Sequence, residues 1–275
     1  MSNPCEKPRT LKTIILSRDW KEETKGLDFP DRTHAKRMID GDRLVLTPDG
    51  ILALMLKAII EPSMCDAAKT VSEHVHGRLD LRAAALGSKS MPRIKEDGTL
   101  GYTATPDSVV GISERDDVRE GLFGTVHGKP PHVSPLTRDR NDLLLQLRPI
   151  IERMSELFDR YLPTPYEFQR RAVKSAPREF RLWQTPFSSA YIPVHLRSGY
   201  HFDGSNLRGG MSVLAPLGDF VGGELILCRW RVGFALETGD LLIFNGFERH
   251  GNLPILEGDR ASLISYCVKG LPSRT

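Results

Sequence analysis

From Trp183 onward the chain is a succession of short apolar runs broken by glycine. They are Ala190-Tyr-Ile-Pro-Val194, Met211-Ser-Val-Leu214, Glu224-Leu-Ile-Leu227, Val232-Gly-Phe-Ala-Leu236, Asp240-Leu-Leu-Ile-Phe244 and Ala261-Ser-Leu-Ile-Ser-Tyr266. Six strand-like runs at such close spacing, with Gly-Gly and Gly-Asp turns between them, predict an antiparallel sandwich or jelly roll. The character of the sequence changes near Arg181, and upstream of it the recognisable elements are helical.

Thr47 with Pro48 predicts the start of a helix through Ile51, Leu52, Leu54, Met55 and Ile59, stopped by Pro62. A weaker helix is expected over Met64 to His76. The clearest helix runs from Asn141 to Leu162, where Leu144, Leu147, Ile151, Met154, Phe158 and Tyr161 recur every three or four residues, with Pro163 and Pro165 ending it. Gly87 to Pro135 is rich in Gly, Pro, Ser and charge and is expected to be a long loop, either a lid or simply mobile. The expected class is therefore α+β: one catalytic domain over residues 1–275, with 1–180 mainly helical support plus the loop and 181–275 the jelly-roll core.

The 275 residues carry 38 Lys and Arg against 35 Asp and Glu, a net charge of +3, so any basic footprint must be local. One such window is Gln169 to Trp183, where Arg170, Arg171, Lys174, Arg178 and Arg181 face Glu179 alone and are interleaved with Phe168, Phe180 and Trp183. It reads either as a phosphate-contacting patch beside stacking aromatics or as a solvated helix face. Cys5, Cys65, Cys228 and Cys267 lie far apart, which argues against a disulfide framework and a cysteine zinc site and points to a reducing, intracellular compartment. Ile51 to Ile60 is too short to span a membrane, and Met1 to Thr13 has no apolar core, so neither a membrane segment nor a signal peptide is expected.

Two histidines and a carboxylate carry the chemistry. His201-Phe-Asp203 follows a strand-like run, so its first and third side chains point together. His250 comes just after the Asp240 to Phe244 run. This ligand set is a facial triad suited to non-haem Fe(II), because it leaves three positions for a bidentate co-substrate and O₂. Ten residues beyond His250, Arg260 and Ser262 share one face of a strand. A guanidinium forming two parallel hydrogen bonds, helped by a hydroxyl, suits the distal carboxylate of 2-oxoglutarate. His74, His76, His127 and His132 are assigned no role.

With these residues in view, Pro186 to Gly270 resembles the Fe(II)/2-oxoglutarate dioxygenases, and within them the TET/JBP group that oxidises the 5-methyl of pyrimidine bases in DNA. The resemblance rests on Arg197-Ser-Gly-Tyr-His201-Phe-Asp203, Arg208-Gly-Gly210, Gly222-Gly-Glu-Leu225, Gly239-Asp-Leu-Leu242, His250-Gly-Asn-Leu-Pro254 and Gly258-Asp-Arg260-Ala-Ser262. It implies a double-stranded β-helix core, Fe(II), 2-oxoglutarate and O₂ as cofactor and co-substrates, and His201, Asp203 and His250 as iron ligands. Arg260 and Ser262 would anchor the far carboxylate, and Arg197 would lie near the co-substrate's other carboxylate end. On the substrate side it implies Asn206 at the edge of a flipped base, Arg208, and Asn252, which is also suited to holding His250. The implied partner is DNA carrying a 5-methylated pyrimidine, with 5-methylcytosine converted to 5-hydroxymethylcytosine or beyond, in the nucleus if the source is eukaryotic. A monomer fits, although nothing in the sequence sets the oligomeric state. A hydroxylase acting on a protein side chain or small metabolite is the alternative, and a non-catalytic jelly-roll module a third.

Overall fold

All six runs form strands, and the reason is visible in which face each residue covers. The computed structural model describes residues 9–17, 29–75, 91–94, 100–103, 121–128 and 130–273. In chain order its elements are β1 (Lys12–Ile15), β2 (Arg37–Ile39), β3 (Arg43–Thr47), β4 (Gly50–Leu56), α1 (Pro62–His74), β5 (Met91–Ile94), β6 (Leu100–Thr103), β7 (Leu122–Val126) and β8 (His132–Val133). There follow α2 (Pro135–Asp139), α3 (Asn141–Tyr161), α4 (Pro163–Ser175), β9 (Ser189–Tyr191), β10 (Ser212–Gly222), β11 (Leu225–Leu227), β12 (Val232–Phe234), β13 (Leu241–Phe244), β14 (His250–Asn252) and β15 (Ile255–Tyr266).

A nine-stranded sheet in the order β1-β3-β4-β13-β10-β15-β9-β7-β8 lies against a four-stranded sheet in the order β14-β11-β12-β2. Alternate residues of the large sheet serve two cores. Leu241, Ile243, Val213, Ala215 and Leu217 pack beneath the helices with Leu147, Ile151, Met154 and Phe158 of α3. Leu242, Phe244 and Leu214 face the small sheet and meet Leu225, Leu227, Val232 and Phe234. This is a jelly-roll core with helices on one face, an α+β arrangement. Phe158 is fully buried between Phe187 and Tyr166, with ring centroids 6.4 and 5.5 Å away.

Three expectations are corrected. Ile51 to Ile59 is not a helix: β4 pairs antiparallel with β3 and β13, and Thr47 and Pro48 begin a tight turn into Gly50 at φ +118°. Thr47 Oγ1 accepts the Asp49 N–H at 3.2 Å, the same hydroxyl chemistry that caps helices. A strand buried on both faces has no polar side, so its apolar run mimics a buried helix. Pro62 opens α1, which carries the weaker predicted helix. Secondly, residues 1–180 are not helical support and loop alone, because β1, β3, β4, β7 and β8 complete the large sheet and β2 the small one. Thirdly, Leu122–Val126 at the end of the expected loop is a wholly buried strand paired with β9. Residues 76–90, 95–99 and 104–120, and with them most of that loop and His76, lie outside the described residues. Pro163 ends α3 as expected and at once starts α4.

One buried charge locks the β4–α1 junction. Asp240, 1% exposed, accepts from Lys57 Nζ at 2.7 Å and from the backbone N–H groups of Ala58 at 2.9 Å and Glu237 at 2.7 Å. Removing one partner of such a pair strands the others in a dry site. Asp240→Ala is expected to lower unfolding free energy by about 3–5 kcal/mol, checked by urea denaturation; a loss within about 0.5 kcal/mol would contradict this role.

Candidate active site

His250 sits on β14, the edge strand of the small sheet, and the chain returns beside it so that His201 and His250 exchange backbone hydrogen bonds of 2.9 and 3.0 Å. This short antiparallel bridge brings the two imidazoles together, with ring centroids 4.4 Å apart. Phe244 packs edge-on against His250 at 5.0 Å, which fixes that ring at the space between the sheets. Asp203 is placed by its N–H, which donates to the carbonyl of Gly246 at 2.8 Å.

The donor atoms converge. Asp203 Oδ1 is 3.6 Å from His201 Nε2 and 3.8 Å from His250 Nε2, and the ligand atoms of the three residues lie within 4.8 Å of one another. This is the one such cluster among the described residues. His201 Nδ1 donates to the Gly199 carbonyl and His250 Nδ1 to the Glu248 carbonyl, each at 2.8 Å. A carbonyl only accepts, so each Nδ1 carries the proton and each Nε2 presents a lone pair. Asp203 Oδ2 is taken by Ser212 Oγ at 3.1 Å and Asn206 Nδ2 at 3.3 Å, which leaves Oδ1 facing the histidines. Two nitrogen donors and one carboxylate oxygen, each oriented by a second hydrogen bond, fit an Fe(II) ion.

Gly246 is part of this geometry. A Cβ there would lie 2.5 Å from Asp203 Oδ2 and 2.9 Å from Ser212 Oγ, and both groups are held by hydrogen bonds. Gly246→Ala is expected to weaken Fe(II) binding about 10- to 100-fold, measured by anaerobic titration, with the fold retained; unchanged affinity would contradict it.

Arg260 and Ser262 lie on β15. Their register partners on β10 are Gly218 and Pro216, in step with Leu214, so both face the small sheet and open onto the space His250 faces. Arg260 is 5% exposed, packs over the Phe220 ring at 5.0 Å and donates from Nη1 to the Gly223 carbonyl. Its Nε is buried with no hydrogen-bond partner, and no carboxylate pairs with it among the described residues. Desolvation by burial pushes the guanidinium down to about 10, against the nearby Glu224, which favours the charge. A buried cation with an unused donor fits an incoming carboxylate. Gly223, at φ +73°, permits this contact, because a Cβ there would collide with Arg260 Nη1.

The remaining predicted residues divide. Arg197 also has a buried Nε without a partner, and its guanidinium lies over Phe29 at 4.7 Å. Asn206 is 7% exposed, and its amide nitrogen bonds to Asp203 and, at 3.0 Å, to Ser212 Oγ, so that donor holds the Asp203 carboxylate. Asn252 accepts from the Ser198 N–H at 2.7 Å and donates to the carbonyls of Leu253 at 2.9 Å and Leu196 at 3.3 Å. It therefore ties the segment before His201 to β14 instead of presenting its amide to a substrate. Arg208 is exposed on the loop after Asp203. The basic window is partly neutralised, because Glu167, just outside it, binds Arg170 Nε at 2.7 Å and Arg171 Nε at 3.0 Å. Ser212 and the Gly199 and Glu248 carbonyls were not foreseen; only Ser212, a hydroxyl inside an apolar run, left a trace in the sequence.

Comparison with known proteins agrees with this geometry. The chain is 27% identical over 227 residues to "Bifunctional helicase and thymine dioxygenase JBP2" of Trypanosoma cruzi, covering 81% of this chain and 19% of that protein. It is 31% identical over 228 residues to the protein of the same name from Leishmania major, again covering 81% and 19%. The chain thus spans about a fifth of the length of these curated relatives. The solved structure of NgTET1 in complex with 5mC DNA shares its fold, with a TM-score of 0.57 at 15% identity over 94% of this chain and 83% of that one. Residues 129–269 match the family Tet_JBP, described as the oxygenase domain of the 2OGFeDO superfamily, and they include every residue of the triad, Arg260 and Ser262. The chain belongs to the Tet_JBP family of 2OGFeDO oxygenase domains.

Proposed function

We propose that this chain is a single catalytic unit, an Fe(II)/2-oxoglutarate-dependent dioxygenase that oxidises the 5-methyl group of a pyrimidine base in DNA. The observation that carries the reading is a three-donor triad with both histidine tautomers fixed, opening onto the same inter-sheet space as a buried guanidinium that lacks a carboxylate partner. When bound, the iron couples oxidative decarboxylation of 2-oxoglutarate by O₂ to hydroxylation of a substrate C–H bond.

The chain's own residues supply position and electrostatics. His201 Nε2, His250 Nε2 and Asp203 Oδ1 would hold the ion. Ser212 and Asn206 hold the second oxygen of Asp203 in hydrogen bonds, so that Oδ1 alone would be offered to the metal. Arg260 takes the distal carboxylate, Ser262 lies beside it on the same strand face, and the Phe220 ring keeps water from the guanidinium. Arg197 is the second cation for the co-substrate's other end.

Support for a DNA base comes from family membership and from the names of the relatives, which are thymine dioxygenases. Thymine is therefore the base proposed first and 5-methylcytosine, expected from the sequence, the second. A DNA substrate is consistent with the nucleus if the source is eukaryotic. No helix among the described residues is long and apolar enough to cross a membrane.

The test incubates the full chain with Fe(II), 2-oxoglutarate, O₂ and oligonucleotides containing thymine alone or thymine plus 5-methylcytosine, with nucleosides read by mass spectrometry. A hydroxymethyl product from either base is expected. Succinate release stimulated by a protein or small-molecule substrate, with every base unmodified, would overturn the DNA reading and keep the oxygenase.

A further inference from the structure

Phe202 stands between two metal ligands, yet 57% of its surface is exposed. His201 and Asp203 turn toward the ion's position, and the ring between them faces outward. Its surroundings are unusual for the molecule. Among the described residues the exposed aromatic rings are Phe202 and Phe168, and both lie along the segment that follows the ligands. Phe168 of α4, 48% exposed, lies against Gly209 so closely that a Cβ there would be 3.3 Å from the ring.

Cations accompany the rings. Arg208 is exposed with no ion pair or hydrogen bond among the described residues. Lys269 is exposed and donates from Nζ to the Gly204 carbonyl at 2.7 Å, which sets its charge beside Asp203 without neutralising it. Arg171, three residues beyond Phe168 on the same helix face, is 78% exposed but paired with Glu167 at 3.0 Å, so it adds little free charge. The one acid in residues 202–210 is Asp203, whose carboxylate is turned inward.

We infer that the Phe202–Gly209 segment, with Phe168, is the face that receives a DNA duplex, with Arg208 and Lys269 on its phosphates and Phe202 filling the gap left in the base stack by the extruded target. The inference rests on the base-oxidation reading above. A base inside a duplex cannot present its methyl group to a buried metal, so it must leave the stack, and losing its stacking is the main cost. An apolar ring inserted at the vacancy offsets that cost, as apolar wedges do in other DNA-deforming proteins. Phe202 is covalently bound to both ligand residues and so is held within one nucleotide's reach of the metal. Arg208 and Lys269, exposed cations without acid partners, flank it, which is the charge complement of the two phosphate strands.

The experiment compares the iron-loaded full chain with Phe202→Ala and Phe202→Trp on one target oligonucleotide, offered as a duplex and as a single strand. Phe202→Ala is expected to lose roughly 5- to 150-fold in kcat/KM on the duplex, the range of one lost aromatic–base stack, and far less on the single strand. Phe202→Trp is expected to restore duplex turnover. A 2-aminopurine placed at the target position should brighten when wild type binds without iron and brighten far less with Phe202→Ala, a readout independent of turnover. Arg208→Ala and Lys269→Ala should each flatten the dependence of log K on log salt by about 0.9 for duplex binding. Equal losses of Phe202→Ala on both substrates, or no loss on the duplex, would overturn the wedge while leaving base oxidation in place. Turnover of neither substrate by wild type would overturn the base reading and this inference together.

Discussion

Asp203→Ala is expected to take both Fe(II) binding and turnover below detection while leaving the protein folded. Asp203 supplies the one anionic donor of the triad, and its Oδ1 lies within 4 Å of both histidine Nε2 atoms, so no neighbouring acid can stand in for it. The fold should survive because the backbone bond from the residue 203 N–H to Gly246 does not need the side chain. Ser212 and Asn206 lose a shared acceptor, a cost of about 1–3 kcal/mol, or roughly 2–12 °C in Tm for a chain of this size. Anaerobic Fe(II) titration, thermal unfolding and succinate formation read the three effects separately. Near-normal turnover in the variant would refute the site.

Arg260→Met should separate function from stability in opposite directions. The guanidinium is buried, its Nε lacks a partner, and its charge is disfavoured by desolvation strongly enough to push its pKa down to about 10. Below that pH the charge is retained at a cost to folding that is relieved only when an anion arrives. An apolar side chain of similar length removes the cost, so the ligand-free variant should be more stable by about 1–4 kcal/mol, a rise in Tm. The same change removes the proposed charge-assisted contact to the co-substrate, so 2-oxoglutarate should bind more weakly by about 2–5 kcal/mol, roughly 30-fold or more. Wild type should show a 2-oxoglutarate-dependent rise in Tm that the variant lacks. A variant less stable than wild type without ligand, or one that keeps the co-substrate's Tm shift, would show that Arg260 has a structural role instead.

The strands and the triad were legible in the sequence for different reasons. The six runs after Trp183 stand out because each is short, apolar and bounded by glycine. His201, Asp203, His250, Arg260 and Ser262 stand out because strand periodicity turns local spacing into shared faces. What the sequence misassigned or left open depended on information it does not hold locally. Ile51–Leu56 is covered by helices on one side and by the small sheet on the other, and a run buried on both faces carries no period. Asn206 suits either a base edge or a carboxylate, and only the position of Ser212 decides that its amide turns inward. The charge window counted Arg170 and Arg171 without Glu167, which lies one helical turn away and binds both. The carbonyls that fix the two histidine tautomers have no sequence signature, because every residue carries one.

The central claim couples one site to one chemistry, so the most direct measurement counts both products of a single reaction. The iron-loaded 275-residue chain is given 2-oxoglutarate, O₂ and DNA bearing 5-methylated pyrimidines, and succinate and oxidised base are quantified in the same sample. The account predicts one succinate for each oxidation step counted in the modified bases (one for hydroxymethyl, two for formyl, three for carboxyl), with both products lost in Asp203→Ala. Iron-loaded protein that forms no succinate, or whose succinate never accompanies an oxidised base, would contradict it.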